Sequence, residues 1–208
     1  MSRDDWFRNK KWDAATEAHF NEKLHRARDK AQPLRIQAHY LENTDPKAAL
    51  ALLDRYFALG NHFDMAAAFL HQAEAHLTLG EQEEALRSLE KALQRERDSP
   101  GVRTQAWSRF ALLVAERKLE HLYDKALKVL EENPVSSPSF PVNGFLWNAA
   151  FALIADAKGQ RKHAAEIAAK ALEFAAMTHS GFRYHADVGL VGPRYDELKH
   201  ELRRLVRS

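Results

Sequence analysis

The chain has 208 residues, 29% of them charged, with a formal net charge of +2 and no cysteine. This length can bury a core without covalent staples, and the lack of cysteine excludes disulfides, thiolate metal sites and cysteine nucleophiles. The balanced charge argues against nucleic acid or anionic lipid as the main partner, and no apolar run is long enough to span a bilayer.

Trp6, Phe7 and Trp12 open the chain, interleaved with Arg3, Arg8, Lys10 and Lys11. Such a leader can stack on single-stranded nucleic acid or dock its rings on a helix with the cations in water; the near-neutral chain favours docking. Asp4 and Asp5 ahead of the rings break the pattern of a secretory signal, so a cytoplasmic globular protein is expected.

A first helix is predicted from about Asp13 to Ala31, with Phe20, Leu24, Ala27 and Ala31 on one face. Pro33 closes it or opens the next, which covers about Leu34 to Glu42. Asp45 and Pro46 restart the chain as cap and first-turn residue. Further helices end at Gly60, at Gly80 and before Asp98-Ser99-Pro100-Gly101. Two more lie between Val102 and Asn133, meeting near Leu119 to Leu122. Pro134, Pro138 and Pro141 mark a loop, and two helices then meet at Gly159, the second running to about Met177. His179 to Gly192 reads as irregular, with Phe182 to Tyr184 and Val188 to Val191 the only stretches that could be extended. From Pro193 a last helix places Tyr195, Leu198, Leu202 and Leu205 together.

A repeat organises this series. Gly80 is followed by Ala85 and Ala92-Leu93, and Gly159 in the same frame by Ala164 and Ala171-Leu172. Ala49 and Ala126 anchor weaker copies, so the alanines at 49, 85, 126 and 164 recur in steps of 36 to 41 residues. Alanines seven apart share a helix face and let a neighbouring helix approach closely. One helix pair cannot bury its apolar face, whereas a stack of pairs can. Trp107, Phe110, Leu113, Leu127 and Leu130 are expected in the core.

Phe69, Ala73, Gly80, Ala85 and Ala92, with Ala152, Gly159, Ala164 and Ala171, make the chain resemble the tetratricopeptide repeat family over roughly Leu34 to Met177. The step is longer than the family's 34 residues. The resemblance implies an all-α, right-handed solenoid of about four antiparallel helix pairs. It divides the chain into an N-terminal arm and helix (1–32), the repeats (33–178), and an irregular loop with a C-terminal capping helix (179–208). It also implies that the first helix of each pair lines a partner-binding groove, here Leu34, Ala38, Leu70, Glu74, Ala111, Ala115, Ala149 and Leu153. Small or apolar residues there argue against the family's lysine and asparagine carboxylate clamp and suit an amphipathic helix. The C-terminal helix either caps the last repeat or occupies that groove.

Eleven histidines raise the question of metal. His71 and His76 are five apart and diverge on a helix, no HExxH occurs, and His39, His121 and His163 stand alone, so no metal site and no cofactor are predicted. His179, Arg183, His185 and Asp187 concentrate in the irregular loop. As an enzyme the chain would use His185 as base, Asp187 or Asp156 as its orienter, and Arg183 for an anion. Alternatively Phe182, Tyr184, Val188 and Leu190 pack the loop onto the last repeat. Ser180 lacks a nucleophile-elbow context. The expected function is a noncatalytic protein-protein interaction scaffold. A small hydrolase or anion-binding enzyme built on residues 179–187, or a nucleic-acid-associated helical repeat, is the alternative.

Overall fold

A computed structural model of the chain describes residues 5–135 and 139–207; Arg3, Asp4 and Pro138 lie outside the described residues. The protein is all-α: among the described residues there are ten α-helices and no strand. The two stretches read as possibly extended, 182–184 and 188–191, are turns and irregular chain. No helix among the described residues is long and apolar enough to cross a membrane. The chain divides into two compact units, Met1–Ala106 and Trp107–Ser208.

In the first unit a short 3-10 turn, Asp5–Phe7, precedes α1 (Ala14–Arg26), α2 (Ala31–Leu41), α3 (Pro46–Phe57), α4 (Met65–Thr78) and α5 (Gln82–Asp98). Local chemistry sets most of the boundaries. Asp13 caps α1 by accepting from the Thr16 amide at 2.8 Å, and Asp45 caps α3 by accepting from Ala48 at 3.1 Å, with Pro46 in the first turn. Helix α1 stops at Arg26, short of the expected Ala31, because Ala27 is extended and the Asp29 carboxylate takes the Ala31 amide at 2.9 Å. Pro33 therefore belongs to the first turn of α2, where its missing N–H costs nothing. At the end of α4, Gly80 adopts φ +78° while the Glu81 amide reaches back to the His76 carbonyl at 2.9 Å, a left-handed stop that favours glycine.

The leader and α1 share one core with α2, α3 and part of α4: Phe7, Phe20 and Leu24 lie with Leu34, Ala38, Leu53 and Tyr56. Asn9 and Gln37 lock the leader down. Gln37 Oε1 accepts from the Asn9 amide at 3.0 Å and from its side chain at 2.9 Å, and Gln37 Nε2 donates to the Asn9 carbonyl at 2.7 Å. Helices α4 and α5 pack as a hairpin, with Ala73, Ala85, Leu89 and Ala92 all buried.

The second unit contains all but the first residue of α6 (Ala106–Glu116), a 3-10 turn at Glu120–Leu122, α7 (Tyr123–Glu132), α8 (Pro141–Ala157), α9 (Arg161–Ala175), a 3-10 turn at Pro193–Tyr195, and α10 (Asp196–Arg207). Trp107, Phe110, Leu113 and Leu130 are buried as expected, whereas Leu127 is half-buried and Val129 takes an inward position. Helices α8 and α9 turn at Gly159 (φ +77°) and lie close enough that a Cβ on Gly144 would sit 2.5 Å from the Phe174 ring. Ala164, Ala168 and Ala171 line the buried face of α9. Trp147 Nε1 donates to the Leu130 carbonyl at 2.9 Å, and Lys158 pairs with Asp124 at 2.7 Å, joining α8 to α7. Helix α10 packs mainly along α9 and buries Leu198, Leu202 and Leu205.

Candidate functional site

Most residues expected to line an open groove are core residues. Leu34, Ala38, Ala111, Ala115, Ala149 and Leu153 are buried, and only Leu70 and Glu74 keep partial exposure. For Leu34 and Ala38 the cause is direct: they lie in the cluster that Phe7, Phe20 and Leu24 complete. The face that a first repeat helix would present is here roofed by the leader and α1. The leader's rings are likewise engaged, with the ring centres of Trp6 and Trp12 5.4 and 5.3 Å from that of Phe20, and Arg8, Lys10 and Lys11 exposed.

In the irregular loop the residues that the alternative, enzymatic reading would use lie at the surface. His179, Arg183, His185 and Asp187 are all exposed. The buried hydroxyl of Ser180 donates to the His185 carbonyl at 2.5 Å and accepts from the Phe182 amide at 3.1 Å. His179 Nδ1 accepts from the Gly181 amide, and Arg183 stacks over Tyr184. These contacts shape the turn. The Gly189 carbonyl accepts from the Val142 amide at 2.8 Å, and Phe182 meets Phe140, fixing the loop against the start of α8. Phe182 thus packs as expected, whereas Tyr184 and Val188 do not: they are 81% and 50% exposed.

The densest chemistry lies in the first unit. Arg35, His39 and Glu42 fall at i, i+4 and i+7, so they form one polar stripe along α2 and its C-terminal cap beside the apolar stripe of Leu34, Ala38 and Leu41. Helix α4 meets α2. Its buried Ala68 and Ala75 lie three before and four after His71, leaving room for that imidazole to reach across. His71 Nδ1 is 2.9 Å from Glu42 Oε2, and His39 Nδ1 is 3.1 Å from Glu42 Oε1. The two imidazoles lie 4.5 Å apart, centre to centre. His39 therefore does not stand alone: the fold pairs it with His71 through one buried carboxylate.

Arg35 extends the chain of charge. Its Nη2 is 3.2 Å from Asp64, at the start of α4, and its Nη1 contacts His71 Nε2 at 3.5 Å. An arginine has no acceptor, so this contact makes Nε2 of His71 the acceptor and leaves Nδ1–H to donate to Glu42. Burial pushes the Glu42 carboxyl up, but the bonds from His39 and His71 outweigh it and hold Glu42 below the usual carboxylate range. The bond to Glu42 raises His39 above an ordinary imidazole, against the effect of desolvation. Nearby, burial and the Asp64 charge push Tyr56 up to about 12, and its hydroxyl has no hydrogen-bond partner among the described residues.

Sequence reasoning missed this pairing because His39 and His71 sit on different helices. The available signals were the polar stripe of Arg35, His39 and Glu42 beside an apolar one, and a histidine set between alanines. No family model, no curated protein and no solved structure matches this chain.

Proposed function

We propose that the chain is a noncatalytic interaction module built of tetratricopeptide-like helical hairpins, which holds a protein partner through apolar residues on the connections between its helices. The observation carrying this reading is Phe63, 75% exposed in the α3–α4 connection, with Leu59 beside it at 44%. Met177, Tyr184 and Val188 are the counterpart after α9, with Tyr184 the most exposed. Burying a side chain such as Phe63 is worth about 1.5–3 kcal/mol, a gain the isolated chain forgoes and a docked partner recovers. The buried alanines Ala49, Ala85, Ala92, Ala126, Ala164 and Ala171 support the hairpin reading, because each lies where the repeat requires close helix approach. A right-handed solenoid capped by α10 is the arrangement we expect these hairpins to form.

The test is paired affinity capture from the native cell with the wild-type chain and the Leu59→Ser/Phe63→Ser variant, each checked for an unchanged circular dichroism spectrum. The reading expects a defined partner that the variant loses. Identical capture by both, in which the apolar connection makes no difference, would count against it.

A further inference from the structure

We propose that His39, Glu42 and His71 form a binding site for one transition-metal dication of the Zn2+, Co2+ or Ni2+ type, with a further coordination position open to solvent. Two imidazole nitrogens and a carboxylate are the donor set these ions favour, whereas Mg2+ and Ca2+ require oxygen. The three residues already bring one ligand atom each within 4.8 Å of one another. Ligands about 2.0–2.1 Å from tetrahedral zinc are separated by about 3.3 Å, and the Glu42 oxygens lie 2.9 and 3.1 Å from the two Nδ1 atoms. An ion can enter once the two imidazoles, which now contact different oxygens of Glu42, turn toward a shared point.

The scaffold supplies both rigidity and access. Glu42 and His71 have side chains only 8% and 13% exposed, which fixes two ligands, while the His39 side chain is 53% exposed and leaves an entry path and room for water. Glu42 is ionised at neutral pH, so the site offers one negative charge to a dication. His39 and Glu42 come from α2 and its cap and His71 from α4, so the ion would also pin two helices.

The exchange is balanced. In the metal-free site each Nδ1 points its proton at Glu42. On binding, Nδ1 takes the ion and its proton moves to Nε2, or to solvent where Nε2 already carries one. At His71 the new Nε2–H faces Arg35 Nη1, so that 3.5 Å contact must open. Asp64, 3.2 Å from Nη2, remains the guanidinium's partner as it turns away from His71.

The inference is independent of the interaction reading, and its test uses the full chain without a histidine tag. Titration with ZnCl2 is followed by calorimetry and titration with CoCl2 by visible absorption. The expected result is one ion per chain, a four-coordinate cobalt spectrum, and a melting temperature raised by the ion. Glu42→Gln and His39→Gln should each weaken binding by about tenfold or more, while His121→Gln, at an exposed histidine of the other unit, leaves it unchanged. His39→Gln is the decisive variant, since its exposed side chain can change without unfolding the metal-free protein. Binding of equal strength in wild type, Glu42→Gln and His39→Gln, or no stoichiometric binding by the wild type, would overturn the assignment.

Discussion

Gly144 tests whether close helix approach through small residues holds the α8–α9 hairpin together. A methyl group there would lie 2.5–2.6 Å from three atoms of the Phe174 ring, about 1 Å inside an ordinary carbon contact of 3.5–4.0 Å. Two opposing terms follow. Alanine in a helix interior is favoured over glycine by about 1 kcal/mol, whereas overpacking costs about 1–3 kcal/mol. Gly144→Ala alone should therefore range from neutral to about 2 kcal/mol destabilising. With the ring removed by Phe174→Ala, the same change should be stabilising by up to about 1 kcal/mol. Urea unfolding of the four proteins of this cycle, followed by far-ultraviolet circular dichroism, gives the coupling directly; we expect about 1–3 kcal/mol. An equal effect of Gly144→Ala in both backgrounds would show that the hairpin is not held at this distance.

Leu89, fully buried on α5, should cost about 2–5 kcal/mol when truncated to alanine; an unchanged urea midpoint would contradict its place in the core. Burial pushes the Glu96 carboxyl above its ordinary value, which the bonds from the Thr104 amide and hydroxyl only partly offset. A raised folded-state value means that this group's contribution is fully present below its unfolded pKa and is lost as pH rises through the folded one. Glu96→Gln removes that loss, so the variant should gain stability relative to wild type as pH rises through and above the ordinary carboxylate range. Parallel melting curves across that range would refute the burial effect.

Features decided by neighbouring residues were legible in the sequence. Asp45 and Pro46 announce α3, Gly80 and Gly159 end α4 and α8, and the alanine seams identify the buried face of α5 and α9. What failed needed knowledge of distant neighbours. Leu34 and Ala38 have the pattern of a groove lining, but Phe7 and Phe20 cover them, and the periodicity of α2 contains nothing about what packs above it. The end of α1 was misplaced because Ala27 and Ala31 continue its apolar spacing, while Asp29 quietly supplies the start of α2. The His39–Glu42–His71 cluster depended on the approach of α4 to α2. In the loop after α9, aromatic identity did not separate Phe182, which meets Phe140, from Tyr184, which faces solvent.

Hydrogen exchange read by mass spectrometry, on the chain alone and with its captured partner, tests the interaction reading most directly. We predict that the partner slows exchange in the connections around Leu59 to Phe63 and Met177 to Val188, with little change in α2. New protection confined to the helices, with both connections exchanging as in the free chain, would contradict it.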